Sequence, residues 1–358
     1  MTLLKLPGLA DIHTHLRTPG GEHKETFTTG TAAALAGGFT TILAMPNTHP
    51  PLIDRSIIDQ TRQKAQLAIL CDVGLFAGAS AHRLDDLPGL AAGTVGLKIY
   101  LNDTFGPLRV DDLPTLLACF RRWPRHKLIA MHAEGQSVAV GIGLAAAFRR
   151  PVHFCHISRK TEIELIAAAK QQGLPVTCEV TPHHLFLTRG DTDRLGPLGD
   201  MRPRLAEPED VEALWRHIST TIDCIATDHA PHTLAEKQAD PPPPGVPGLE
   251  TALPLMLTAV HQGRLSLDRL VELMATNPRR IFNLPPQPDT FIEVDPRARH
   301  VISSENLFTL CGWTPFAGMT VTGRLVRTVL RGQTVFDANR PQKSQRLLAK
   351  PGTGKVLP

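Results

Sequence analysis

No C-x-x-C pair occurs among the six cysteines, Cys71, Cys119, Cys155, Cys178, Cys224 and Cys311. Several sit inside apolar strand-like runs where a disulfide partner is hard to arrange, so they read as reduced thiols and the protein as cytoplasmic. No apolar run approaches membrane-spanning length, and the opening Met1 to Gly8 has no basic region leading into an apolar stretch long enough for secretion. The expectation is a soluble protein without a membrane partner. The 38 basic side chains outnumber 34 acidic ones by only four and form no stripe, which argues against nucleic acid as a partner. A repeat of solenoid period is also missing.

What remains is an ordinary globular composition, 42% hydrophobic and 20% charged, in 358 residues. That length suits one α/β barrel with a small accessory layer. Eight short apolar runs begin near Leu9, Thr40, Cys71, Val95, Lys127, Pro151, Pro175 and Thr221. They are rich in Val, Ile, Leu and Ala without strict alternation, as strands buried on both faces of a parallel sheet should be. Helical patterns lie between them: Thr28 to Ala36, Ile57 to Gln66, Val110 to Arg121, Gln136 to Phe148, Lys160 to Gln171 and Pro208 to Ser219. The pattern predicts a (β/α)8 TIM barrel over residues 7–287. A Pro-rich loop, Asp240 to Pro247, follows the eighth run beside the barrel mouth, and helical material extends from Leu249 to Phe282. From Phe291 the pattern becomes strand-like, and residues 288–340 with the extreme N-terminus, 1–6, are expected to form a small β domain. Residues 341–358, with Lys343, Arg346, Lys350 and Lys355, are expected to be a flexible tail.

The chemistry-bearing residues fall at the ends of these runs. Asp11-Ile12-His13-Thr14-His15 ends the first, and alternate residues of a strand share a face, so both imidazoles can enter the barrel mouth. Lys98, His132, His156 and Asp228 end later runs. Barrel enzymes gather catalytic groups at that carboxyl face, so residues distant in sequence can meet there. Any one of these histidines alone reads as an ordinary hydrogen-bonded residue; the set reads as a metal centre. Lys98 lies between Leu97 and Ile99, and desolvation of a buried amine favours the neutral form, which can react with carbon dioxide to give a carbamate able to bridge two metal ions.

Five motifs carry a family resemblance: His13/His15 followed by Leu16-Arg17; Ala44-Met45-Pro46-Asn47-Thr48; Cys178 to His184; Asp228-His229-Ala230-Pro231-His232; and Asn277-Pro278-Arg279-Arg280-Ile281-Phe282. With them the chain resembles the dihydroorotases of the amidohydrolase superfamily over nearly its whole length. The nearest likeness is to the animal type, in which this domain is part of the multifunctional pyrimidine-biosynthesis protein CAD. The resemblance implies reversible cyclisation of N-carbamoyl-L-aspartate to L-dihydroorotate by zinc-activated hydroxide. It implies that His13, His15 and Asp228 hold one zinc ion and His132 and His156 a second, with carboxylated Lys98 between them and Asp228 as the catalytic proton carrier. Cys155 and Glu179 match positions that help hold a third zinc alongside the second-metal histidine. Arg17, Asn47, Arg202 and His232 are implied to hold the substrate, with the backbone near Pro244 and Gly245 closing over its ring. Thr104 and Phe105 resemble the tip of a mobile loop, and a homodimer is implied.

Two departures stand out. Thr18 occupies a position where these enzymes usually carry Glu, and the C-terminal tail has no counterpart. A hydantoinase or dihydropyrimidinase would share barrel, metals and carbamate but needs no arginine clamp for a carboxylate. A catalytically inactive scaffold relative is the other alternative, although such proteins typically lose metal ligands.

Overall fold

The computed structural model describes residues 3–358, so residues 1 and 2 of the expected β domain lie outside the described residues. A short strand β1 (Leu4–Pro7) precedes eight parallel strands: β2 (Leu9–Thr14), β3 (Phe39–Ala44), β4 (Asp72–Gly78), β5 (Gly96–Tyr100), β6 (Leu128–His132), β7 (Val152–Phe154), β8 (Val176–Val180) and β9 (Cys224–Ile225). They pair in sequence order, β2 to β9. A parallel bridge between Thr14 and His229 brings the last segment back to the first. The result is the expected TIM barrel, since right-handed crossovers through helices let consecutive parallel strands lie side by side.

Local signals explain the helices. Asp54, Asp112 and Thr181 each cap a helix by accepting from backbone N–H groups of its first turn. The helix expected from Val110 starts later, at Leu113, because Asp112 caps it and Pro114 fits its first turn. Between β4 and β5 only short turns and one four-residue helix, Leu87–Leu90, occur. The final barrel strand is two residues long and begins three residues after Thr221, because Asp223 turns away to accept from Lys170 Nζ and Cys178 N.

The accessory sheet is antiparallel, in the order β1, β10 (Phe291–Val301), β11 (Thr320–Leu330), β12 (Gln333–Asp337). Its inner face packs on helices Phe27–Ala36 and Leu249–His261 of the barrel, and Ile292 and Val294 join the main core. A second cluster fills the barrel interior: Ile12, Leu43, Phe76, Ala130, Cys155, Cys224 and Ala226 meet Phe282, whose ring stands edge-on to Phe76 at 5.6 Å. Among the described residues, no helix is long and apolar enough to cross a membrane.

The expectation of a flexible tail at 341–358 is corrected by the structure. Leu357 is buried in the barrel-interior cluster. Val73 N donates to Lys355 O at 3.0 Å and Leu357 N to Val73 O at 2.8 Å, so the tail adds a short parallel bridge to the start of β4. Asp72 accepts from Lys355 N and from Arg331 Nη1, each at 2.9 Å. Gly354 lies so close to this edge that a Cβ would stand 2.0 Å from Cys71 O. A polar sequence with two late apolar residues does not announce such docking, because backbone bonds do most of it. Leu357→Ala is expected to cost about 2–4 kcal/mol and to lower the melting temperature measurably in calorimetry; an unchanged transition would mean that the tail is not seated in solution.

Candidate active site

The carboxyl ends of the barrel strands converge on one buried polar centre. His13 and His15 project from β2 with ring centroids 5.4 Å apart. Asp228 faces both: its Oδ1 lies 3.2 Å from His13 Nε2 and 3.0 Å from His15 Nε2. From β6 and the end of β7, His132 Nδ1 and His156 Nε2 approach to 2.8 Å. Lys98, fully buried on β5, places Nζ 2.8 Å from Cys155 Sγ. The centre therefore unites His13, His15, Lys98, His132, Cys155, His156, Glu179 and Asp228, drawn from six strand ends.

Three of the imidazoles are oriented in the same way, one nitrogen tied to an outer acceptor and the other aimed inward. His13 Nδ1 meets Glu179 Oε1 at 2.5 Å, His15 Nδ1 meets Asn47 Oδ1 at 2.7 Å, and His132 Nε2 meets Glu134 Oε1 at 3.0 Å. That arrangement fixes ring and tautomer as metal-ligating histidines require. His156 Nδ1 is buried with no hydrogen-bond partner. Arg17, His156 and Asp228 hold left-handed backbone, with φ of 56°, 36° and 45°. Such conformations persist in non-glycine residues where the surroundings over-determine them, often at functional sites.

Electrostatics point the same way. Burial and Lys98 press the His13 pKa down, yet Asp228 and Glu179 prevail and lift it to about 10. Two carboxylates around one imidazole thus create a demand for positive charge. Burial alone would raise Asp228, but His13, His15 and His156 hold it well below the usual carboxylate range. Burial dominates at His15, lowering it to about 4, and at His132 and His156, which are also lowered and so present neutral nitrogens.

Two sets of three ligand atoms lie within 4.8 Å of one another: His13, His15 and Asp228, and His13, Cys155 and Glu179. The second set changes one expectation. Cys155 and Glu179 gather at His13 of the first-ion group, whereas they were expected beside the second-ion histidines. Glu179 also accepts from His153 Nε2 at 3.1 Å and is held at about 2; burial opposes this, and His13 and His153 overcome it.

A cationic wall stands beside the centre. Arg17 is buried, with Nη2 3.0 Å from His232 Nε2 and Nε donating to Pro231 O. Pro244 O lies 3.1 Å from His232 Nε2. Gly245 N donates to Asp200 O, and at φ 138° a Cβ would stand 2.5 Å from Ala230 O, so the closing loop requires glycine there. Asn47 Nδ2 donates to Phe105 O at 3.0 Å, leaving one amide N–H free. Phe105 lies over this wall, 5.2 Å from the His232 ring and 5.1 Å from the Arg17 guanidinium, while Thr104 beside it is half-buried. Arg202 stands at the rim, bonded to Asp200 Oδ1 at 2.6 Å and to Met201 O.

Sequence reasoning missed Glu134, Lys24 and Lys237, which lie on connections without strand-end punctuation. Lys237 donates to Asp200 O, Pro243 O and Gly245 O and so ties the Pro-rich loop shut. It also missed His183, buried with an unpartnered Nε2 although it sits inside the quoted Cys178 to His184 motif.

Comparison with known proteins follows this geometry. Residues 2–106 match the family model described as dihydro-orotase-like. The multifunctional protein CAD of Squalus acanthias is 51% identical over 93% of this chain, which spans only 15% of that protein's length. The dihydroorotase of Halobacterium salinarum is 36% identical over 93% of this chain and 86% of its own length. Among solved structures, the L-hydantoinase (dihydropyrimidinase) of Arthrobacter aurescens superposes with a TM-score of 0.92 at 25% identity, covering 99% of this chain and 89% of its own. The inactive dihydroorotase-like domain of the Chaetomium thermophilum CAD-like multifunctional protein superposes with a TM-score of 0.83 at 28% identity, covering 99% of both chains. A barrel whose mouth gathers these imidazoles, read together with full-length relatives above 30% identity, means that the chain belongs to the dihydroorotase family and is of the CAD-like kind.

Proposed function

We propose that this chain is a zinc-dependent dihydroorotase, interconverting N-carbamoyl-L-aspartate and L-dihydroorotate in pyrimidine biosynthesis. The observation that carries the reading is the juxtaposition of an imidazole-carboxylate centre with a buried arginine, Arg17, whose Nη2 sits 3.0 Å from His232. The first suits metal-assisted opening of an amide, and the second an anionic substituent on the same small molecule. Hydantoins and dihydrouracil lack that carboxylate.

The residues fit zinc. Neutral imidazoles, a thiol and carboxylates are its usual donors, and the inward nitrogens crowd one another with no protein proton acceptor to absorb all of them. His13, His15 and Asp228 would hold one ion, His132 and His156 another, with Lys98, carboxylated on Nζ, shared between them; Cys155 and Glu179 with His13 would hold a third. When bound, such ions polarise an amide carbonyl and acidify water toward neutral pH.

The chain's own residues supply the rest. Arg17 offers a planar fork to the substrate carboxylate, and His232 with the free N–H of Asn47 adds directional bonds. In ring opening Asp228 takes the proton of the attacking water and passes it to the departing ring nitrogen; ring closure is the reverse. Its depressed pKa suits it to arrive as the carboxylate. Thr104 and Phe105, above the cations, keep bulk water from the ring, and Pro244 and Gly245 border it. Arg202 at the rim would meet the substrate as it enters.

The six cysteines are free and buried, which suits a reducing cytoplasm. A homodimer is supported by helix Gln136–Phe148, which carries no charged side chain and exposes Val140 (44%) near the exposed Leu165 (38%) of helix Lys160–Gln171. Light scattering should then return twice the 39.0 kDa chain mass; a monomer would exclude that assembly.

Chelation should abolish ring opening, with zinc restoring it, and metal analysis should find at least two ions per chain; full activity in metal-free protein would end the zinc reading. Arg17→Ala should raise KM for dihydroorotate about 10–100-fold, leaving zinc content intact. Dihydrouracil should be a poor substrate. If it is turned over better than dihydroorotate, the chain is a dihydropyrimidinase instead.

A further inference from the structure

Lys24 has no part in the reaction outlined above, yet it is buried beside the proposed carboxylate site. Its Nζ lies 3.2 Å from His232 Nδ1, 2.9 Å from Glu236 Oε1 and 4.8 Å from the centre of the Phe105 ring. An ammonium has donors only, so Nδ1 at this distance must be the lone-pair nitrogen of the ring. The ring proton then sits on Nε2, where Pro244 O accepts it at 3.1 Å. Nε2 is also 3.0 Å from Arg17 Nη2, which is a donor in every protonation state. The opposite tautomer would aim Nδ1–H at a full positive charge and leave Nε2 without its carbonyl bond. The ring itself is anchored, since Trp313 Nε1 donates to His232 O at 2.7 Å.

We propose that Lys24 is a positioning residue: by occupying the Nδ1 lone pair it holds His232 as the neutral Nε2–H tautomer, so that Arg17 and His232 present two converging N–H donors to a single substrate carboxylate. The assignment rests on the dihydroorotase reading for its substrate, but not for its tautomer.

The groups facing His232 fit this role. Burial, then Arg17, Lys24 and Lys237, hold its pKa far below the ordinary value of 6.5. Glu236 is the opposing charge, but it lies 4.0 Å from Nδ1 and is bonded to Lys24 and His23. Substrate binding should therefore not respond to imidazole titration in the native enzyme. Without the ammonium, the ring can protonate on Nδ1 or exchange tautomers, and Glu236 would favour the charged form. Since a protonated imidazole has the higher folded pKa in that variant, the change appears as pH falls toward about 6.5.

The test uses the zinc-loaded protein labelled with 15N-histidine, with His232 assigned by difference against His232→Gln. The native spectrum should place the His232 proton on Nε2 and keep it neutral from pH 5.5 to 8; a proton on Nδ1 overturns the proposal whatever the enzyme turns over. Lys24→Met should raise KM for dihydroorotate about tenfold with kcat within about threefold, and should introduce an inflection near pH 6.5 in KM that the native enzyme lacks. Lys24→Arg, which keeps a donor, should recover most of the affinity. A Lys24→Met protein with native KM at every pH also overturns it. Should dihydroorotate not be a substrate at all while the native tautomer is as stated, the functional reading fails and the tautomer lock stands.

Discussion

The site depends on the seam where the first barrel strand meets the last. Asp11 on β2 accepts from His13 N and, across the seam, from the Thr227 hydroxyl, and His15 N donates to His229 O. These bonds close the barrel and, in the same step, bring Asp228 to His13 and His15. Closure and assembly of the carboxylate-imidazole group are thus one event. Strand β9 can be only two residues long because the seam is held by side chains where the ladder is short. The left-handed backbone at Asp228 turns its carboxylate inward from that seam.

Charge is sorted across the mouth. On one side Asp228 and Glu179 surround neutral imidazoles and call for cations. On the other, Arg17, Lys24 and Lys237 gather around His232 and call for an anion, with Glu236 the single carboxylate among them. A small molecule with a carboxylate at one end and an amide at the other has one favourable orientation between such walls. Orientation of this kind is a large part of what an enzyme of this size can contribute to rate.

Much of this was legible in the sequence, for physical reasons that differ by residue. His13, His15 and Lys98 were visible because polar residues at the ends of apolar runs have few other places to go, and the barrel collects strand ends at one face. Seven of the eight strand starts were readable to within a residue because both faces of each strand are buried. Glu134 and Lys24 were not, since a charged residue on a connection looks like a solvated one until the fold covers it. The regrouping of Cys155 and Glu179 around His13 was hidden too, because strand order gives neighbours but not which side chains lean together above the sheet. The seated tail was hidden for another reason: its hold is largely main chain, and main chain has no sequence signature.

That seated tail has a topological consequence. Val356 bridges to the first residues of β4, and Lys127 Nζ, just before β6, points toward Pro358 O. Position 358 therefore emerges at the amino-terminal rim, on the far side of the barrel from His13 and His132. Any body joined there, whether a tag, a surface or a neighbouring domain, would sit behind the enzyme and leave the entrance for small molecules unobstructed.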